Sequence, residues 1–375
     1  MTSQAQDNLT QAKRLVIKIG SALLVDESSG LRRDWLRALA TDIVRLRARG
    51  QEVVLVSSGA VALGADTLGT THTKRHLQDN QAAAAVGQVR LAHAWQETLA
   101  EHDITVAQIL LTIEDTETRR RYLNARDTVE TLLSIGAVPV INENDTVATQ
   151  EIRYGDNDRL AARVAQMVSA DCLVILSDVD GLFTQNPDDH DDAELVTLID
   201  DITPDIAAMA GEPKRLGVGS GGMITKITAA KIAVASGCGV LLINGTHDQP
   251  VSHFETTQTG TWFTAKTAPI SQHKQWLAGT LTAAGQVIID EGAQDALQTG
   301  KSLLPTGVLA VDGDFQRGDT LAIVNEAGTE LARGLAAYSS EDARKIIGHN
   351  SRDIEEILGY RGRRELIHRD NLVLH

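Results

Sequence analysis

Up to about residue 245 the chain alternates short apolar runs with stretches of helical period. The apolar runs over 15–19, 53–56, 105–111, 137–141, 172–176 and 240–243 have the length of buried strands. All but one end at Gly, Ser or Asn. Between them, 36–49, 81–100, 124–134 and 159–168 space their apolar residues as amphipathic helices do. This alternation predicts βαβ units, a mostly parallel sheet and helices on both of its faces. The expected fold class is therefore α/β, a three-layer αβα sandwich. In such sheets ligands lie beyond the carboxyl ends of the strands, and nearly every polar cluster discussed below directly follows a strand.

Near residue 265 the pattern changes. The stretch 264–275 is polar and without clear period. Short strand-like runs follow at 287–289, 308–311, 320–324 and 331–334, separated by turn signals such as Asp312-Gly313-Asp314 and Arg317-Gly318-Asp319. A helix over 340–347 and an acidic stretch over 353–358 come next. The expected organisation is a large domain at 13–264, a linker at 265–279, a small β-rich domain at 280–364 and a tail at 365–375.

Composition narrows the function classes. Of 375 residues, 42% are hydrophobic and 23% charged, as in ordinary soluble globular proteins, while aromatics are only 3%. The core must then be built from Ala, Val, Leu and Ile, as buried parallel sheets are. A formal charge of −15 argues against binding nucleic acid or anionic membrane by bulk attraction. Cys172 and Cys238 sit in or beside apolar segments, which suggests buried reduced thiols. The first fourteen residues hold no apolar run of signal-peptide type, and no stretch has the length of a membrane span. A cytoplasmic location is expected.

Two segments suggest a nucleotide site. Ser177-Asp178-Val179-Asp180-Gly181-Leu182-Phe183-Thr184 leaves an apolar strand, and Gly217-Val218-Gly219-Ser220-Gly221-Gly222-Met223-Ile224-Thr225-Lys226 is a glycine-rich turn opening a helix. Neither has P-loop spacing. Lys226 would act with the helix N-terminus on one phosphate. Lys18, inside an apolar strand before Gly20-Ser21, would either reach phosphate oxygens or extend to solvent at a sheet edge. Ser57-Ser58-Gly59 offers hydroxyls and amides at a helix start. Asn142-Glu143-Asn144-Asp145 reads as a polar substrate wall or as a capped loop. Asp156-Asn157-Asp158 could bind an ammonium or metal, orient lysines, or cap a helix. The acidic run 188–192 lacks calcium-loop spacing, and neither zinc-ligand spacing nor a nucleophile elbow is present.

Taken together, VIKIGSALL, LVSSGAVALG, AAAAVGQVRL, RYLNARDT, VPVINENDTVA, YGDNDRLAARVA, LSDVDGLFT, GVGSGGMITK and GTWF, in order from residue 16 to residue 263, resemble the amino acid kinase family, and within it the glutamate-phosphorylating branch. The C-terminal DEGAQDALQTGKSLLPTGV and FQRGDTLAI resemble the PUA module, a small β-rich barrel. The resemblance implies phosphoryl transfer from ATP to the side-chain carboxylate of L-glutamate, opening the route to proline, with Mg2+ carried by ATP and no protein-held metal. It assigns Lys18, Lys226 and Asp158 to catalysis, Asp158 as the residue orienting both lysines. Ser58, Asp145 and Asn157 would hold glutamate. Lys18, Ser177, Asp178, Ser220, Gly221, Gly222, Met223, Ile224, Thr225 and Lys226 would form the nucleotide site. Ser177 and Ser220 stand where the family often has threonine, and Arg153 where it often has lysine.

Further implications are inhibition by proline, a homodimer or homotetramer, and coupling to a glutamyl phosphate dehydrogenase. Relatives acting on N-acetylglutamate, carbamate or UMP share the fold, but the acidic loops would repel a phosphate-bearing acceptor. The PUA resemblance raises RNA binding as a different class of function. From Trp276 onward ten Lys and Arg face fifteen Asp and Glu, a net of −5, so nucleic acid is an improbable partner despite the basic cluster at 361–364.

Overall fold

The computed structural model describes residues 4–26, 30–69, 76–148, 156–211, 222–266 and 283–374. The chain divides into two units, Met1–Pro269 and Ile270–His375. The first contains strands β1 (Arg14–Ile19), β2 (Glu52–Ser57), β3 (Val106–Leu111), β4 (Val138–Glu143), β5 (Cys172–Ser177), β6 (Leu198–Ile199), β7 (Gly239–Asn244) and β8 (Thr261–Phe263). They form one sheet in the order β3-β4-β2-β1-β5-β7-β8-β6. Pairing is parallel from β3 to β7, and β8 then runs antiparallel to β7 and parallel to β6.

Side-chain alternation along these strands makes the three layers. Leu15, Ile17 and Ile19 of β1 join a core formed with α2 (Arg33–Ala48), α3 (Ala60–Leu68), α4 (Leu77–Ala100) and α8 (Pro250–Thr257). Val16, one position off, faces the opposite core with α5 (Arg119–Ser134), α6 (Asp156–Met167) and α7 (Met223–Ala235). Each fully buried Leu, Ile or Val in either layer contributes roughly 1.5–3 kcal/mol of transfer free energy. Lys18 has Val16's parity, so it is directed toward α6 and α7 rather than to a sheet edge. The N-terminal helix α1 (Gln4–Gln11) is tied to this unit by Gln51, whose amide donates to the carbonyls of Leu9 and Ala12.

The packing of α3 on α4 is unusually close. A Cβ on Gly64 would lie 1.7 Å from the carbonyl oxygen of Ala83, and one on Gly87 would lie 1.8 Å from that of Ala60. Only glycine fits at either position. Cys172 and Cys238 are buried free thiols, as expected, and burial raises the pKa of both. No helix among the described residues is long and apolar enough to cross a membrane.

The structure departs from the expected pattern at the edges of the sheet. The strand set does not end with β7, because β8 and β6 extend it. The strand expected to stop at residue 141 runs on to Glu143, so Asn142 and Glu143 are sheet residues rather than loop.

The second unit has its own five-stranded sheet of β9 (Gly285–Ile289), β10 (Val308–Gly313), β11 (Thr320–Asn325), β12 (Glu330–Leu335) and β13 (Leu372–Leu374), in the order β10-β9-β11-β12-β13. Val287, Ile289, Phe315, Leu321 and Ile323 are buried between this sheet and the flanking segments. The stretch expected as a tail at 365–375 is integrated instead. Leu366 and Ile367 are fully buried, and β13 pairs with β12. Most of the expected linker at 265–279 lies outside the described residues.

Candidate active site

The sequence-predicted polar residues gather where β1, β2, β4 and β5 end. Lys18 Nζ lies 2.5 Å from Asp158 Oδ1, and Lys226 Nζ lies 3.7 Å from Asp158 Oδ2. Asp158, near the start of α6, is 0% exposed, and Lys18 and Lys226 are 6% and 7% exposed. Thr225 Oγ1 is 2.7 Å from Asp158 Oδ2 and donates to it. One carboxylate thus stands between two buried ammonium groups on different elements. Burial pushes the Asp158 carboxyl up. The fields of Lys18 and Lys226, with hydrogen bonds from Lys18 and Thr225, outweigh that effect and hold its pKa below the ordinary value. The Lys226 ammonium is shifted down, by burial first and by the repulsion of Lys18, against the attraction of Asp158 and Asp178.

Gly20 brings the end of β1 next to this pair, since a Cβ there would lie 3.6 Å from Lys18 Nζ. Ser177 closes β5 and is buried, and its hydroxyl donates to Asp178 Oδ1 at 3.1 Å, with Asp178 exposed. Gly222 is the N-cap of α7, followed by Met223, Ile224, Thr225 and Lys226 in its first turn. Ser220 and Gly221, like Arg153, lie outside the described residues.

The second half of the site is a run of amides. Gly59, at φ 103°, turns the chain from β2 into α3, a conformation that glycine adopts without strain. Ser58 Oγ, just before it, accepts from Asn157 Nδ2 at 2.9 Å. Asn157 Nδ2 also lies 3.2 Å from Asn142 Oδ1, which accepts from the backbone N–H of Glu143 at 2.9 Å. Asn142 Nδ2 donates in turn to Gln88 Oε1 of α4 at 2.7 Å. Ser58 and Asn157 are therefore brought together, and Asp145 is buried in the turn directly after β4.

Sequence reasoning missed the residues of α4. Gln88 meets Asn142, and Trp95 Nε1 donates to Ser57 Oγ at 3.0 Å. The signal available was a glutamine on the site-facing side of an alanine-rich helix, next to a glycine. Thr225 was expected only in the nucleotide turn, yet it also hydrogen-bonds Asp158. A cavity of about 390 Å3 lies elsewhere, at the amino ends of β5 and β7, lined by residues including Asp171, Gly239, Trp262 and Thr264. It contains none of the residues above.

The arrangement suits chemistry that moves negative charge. Two cations share one carboxylate at the strand ends beside a helix N-terminus, and Asn157, next to that carboxylate in the chain, joins the amide cluster at Ser58. The profile of the Amino acid kinase family matches residues 13–244, and that of the PUA domain matches residues 285–358. A protein named Glutamate 5-kinase from Paramagnetospirillum magneticum is 55% identical over 367 residues, covering 98% of this chain and 99% of that one. Glutamate 5-kinase of Agrobacterium fabrum is 55% identical over 366 residues, covering 98% and 94%. Among solved structures, an isopentenyl phosphate kinase aligns with 67% of this chain and 100% of its own, with a TM-score of 0.47 and 17% identity. By the family match and the near-full-length relatives, the chain belongs to the amino acid kinase family and carries a C-terminal PUA domain.

Proposed function

We propose that the chain transfers the γ-phosphoryl group of ATP to the side-chain carboxylate of L-glutamate, forming L-glutamyl 5-phosphate and ADP in the first step toward proline. The observation that carries this reading is the pair of buried lysines joined by Asp158, whose chain neighbour Asn157 enters the Ser58 amide cluster. The glutamate side chain has an ordinary pKa of about 4.3, so it is already an ionised nucleophile at neutral pH. No general base is required. A carboxylate oxygen attacks the γ-phosphorus, the bond to the β–γ bridging oxygen breaks, and its electron pair leaves with ADP.

Catalysis then rests on alignment and on cancelling the charge of the transferred group. Lys18 and Lys226 take opposite sides of that group, and the N-terminus of α7 adds a partial positive charge. Asp158 spaces the two lysines, whose ammonium groups would otherwise repel each other. Ser177 and Asp178, with the segment from Ser220 to Lys226, form the nucleotide side. Ser58, Asp145 and Asn157 hold the acceptor.

Mg2+ bound with ATP would supply further neutralisation of the phosphate charge, beside that of Lys18 and Lys226. Both oxygens of Asp158 are engaged by Lys18, Thr225 and Lys226. Among the described residues no group of three or more His, Cys, Asp or Glu could hold a metal. This reading takes the ion as one carried in by ATP.

The same reading makes proline, which shares glutamate's α-carboxylate and amino nitrogen, an inhibitor at an overlapping site. It also expects a homodimer or tetramer, a cytoplasmic setting, and delivery of the reactive acyl phosphate to a dehydrogenase. The test is incubation with Mg-ATP and hydroxylamine in the presence of either L-glutamate or N-acetyl-L-glutamate. A hydroxamate from glutamate is the expected result. Hydroxamate from acetylglutamate alone would transfer the chain to a different substrate.

A further inference from the structure

The amides beside Ser58 can be oriented without assumption. A backbone N–H only donates, and that of Glu143 points at Asn142 from 2.9 Å, so the Asn142 atom there is oxygen. The nitrogen of Asn142 must then face Gln88, 2.7 Å away, and the Gln88 atom that meets it is oxygen. The Asn142 oxygen also lies 3.2 Å from the Asn157 amide, so the Asn157 atom there is nitrogen, and it reaches Ser58 Oγ at 2.9 Å. One atom is left over. Asn157 Oδ1 is buried and has no hydrogen-bond partner.

An unpaired buried acceptor is a costly group to keep. On the functional reading above, the acceptor substrate brings one group that can satisfy it. The two carboxylates of glutamate only accept; its α-ammonium donates. The orientation of Asn157 therefore bears on recognition of the ammonium, and it depends on Asn142, which is held from two sides, by the Glu143 N–H at its oxygen and by Gln88 at its nitrogen. Gln88 is itself fixed in space. Its neighbour Gly87 packs against the Ala60 carbonyl so tightly that a Cβ would lie 1.8 Å away, and Ala60 is the first residue of α3, two beyond Ser58. One helix contact thus sets both ends of this amide chain.

We infer that Gln88 is a positioning residue for substrate selection: its side-chain oxygen, acting with the Glu143 N–H, holds the Asn142–Asn157 amides in the one orientation that presents an acceptor to the α-ammonium of glutamate. Gln88 contacts no reacting atom in this account. What matters at position 88 is an acceptor, not an amide.

The test compares wild type, Gln88→Met and Gln88→Glu with L-glutamate and with glutarate, which lacks the ammonium group. Methionine keeps the shape and removes the acceptor; glutamate keeps the acceptor. Wild type is expected to prefer L-glutamate over glutarate. Gln88→Met is expected to lower kcat/KM for L-glutamate roughly tenfold, the effect of one lost hydrogen bond in a binding site, mainly through KM. Its kcat/KM for glutarate and its KM for ATP are expected to stay within about twofold, and Gln88→Glu should retain the wild-type preference. Equal losses on both substrates in Gln88→Met, no loss at all, or a collapsed preference in Gln88→Glu would each overturn the inference. Should Gln88→Met not fold, the preference measured in Gln88→Glu decides alone. Wild type inactive on glutamate would overturn the functional reading and this inference with it; wild type active but indifferent to the ammonium would overturn the inference only.

Discussion

Asp158 and Lys18 form an ion pair of 2.5 Å in which the carboxylate is wholly shielded from solvent. The pair joins the start of α6 to the centre of the sheet, and Lys226 approaches the same carboxylate from α7 at 3.7 Å. Charges this deeply buried persist only when paired. The site is therefore sensitive to the removal of any one of the three.

Asp158→Asn leaves two buried cations facing each other. We expect kcat to fall by about 100-fold or more, as for loss of a transition-state contact, while KM for glutamate stays within about threefold. A rise in KM at unchanged kcat would contradict the positioning role. Breaking such a pair costs about 3–5 kcal/mol of stability at neutral pH. The Asp158 pKa lies below its ordinary 3.8, so its stabilising contribution is present above that value and is lost as pH falls through the lower folded value. In urea unfolding from pH 7 to pH 3, the gap between wild type and variant should hold down to about pH 4 and narrow below it.

Lys226 titrates on the alkaline side. Its pKa is held below the ordinary 10.5, so raising the pH removes its proton earlier than for a free lysine. The profile of kcat/KM for ATP, which reports the free enzyme, should fall with an apparent pKa below 10.5. Arginine stays charged throughout the range. In Lys226→Arg the residual activity should therefore lack that limb, and an unchanged limb would assign it to another group.

The glycine contact between α3 and α4 carries a stability prediction. Gly64→Ala and Gly87→Ala each drive a methyl group into a backbone carbonyl, at 1.7 Å and 1.8 Å. Neither oxygen can move without separating the helices. Each substitution should destabilise by more than the usual cost of overpacking, about 1–3 kcal/mol, measured by denaturant unfolding. The double variant should lose less than the sum, because both act on one contact.

The second unit is acidic, with a net of −5 from Trp276 onward. Filter binding of tRNA at low and moderate salt should show no retention with the steep salt dependence of phosphate contacts. Tight, salt-sensitive retention would assign this unit a nucleic-acid role.

Much of this was legible in the sequence because a buried parallel sheet records itself as apolar runs, and its ligands lie where those runs stop. The face of Lys18 needed the structure: Val16 and Lys18 share a parity, but only the fold shows that Val16 packs with α6 and α7. The edge strands were not legible, since Leu198–Ile199 and Thr261–Phe263 are too short to carry a period. Asn142 and Glu143 read as loop because polar side chains at a strand end resemble a turn. The contribution of Gln88 and Trp95 depends on how α4 crosses α3, a tertiary fact set by Gly64 and Gly87. Leu366 and Ile367 looked like a tail because nothing local shows the core that covers them.

In the proposed reaction a glutamate carboxylate oxygen forms the new bond to phosphorus. L-glutamate labelled with 18O in its side-chain carboxylate tests this directly, with Mg-ATP and hydroxylamine present. Hydroxylamine attacks the acyl carbon, so the bridging oxygen leaves with phosphate. Inorganic phosphate should carry one 18O for each hydroxamate formed. ATP turnover that yields only unlabelled phosphate and no hydroxamate would contradict this assignment.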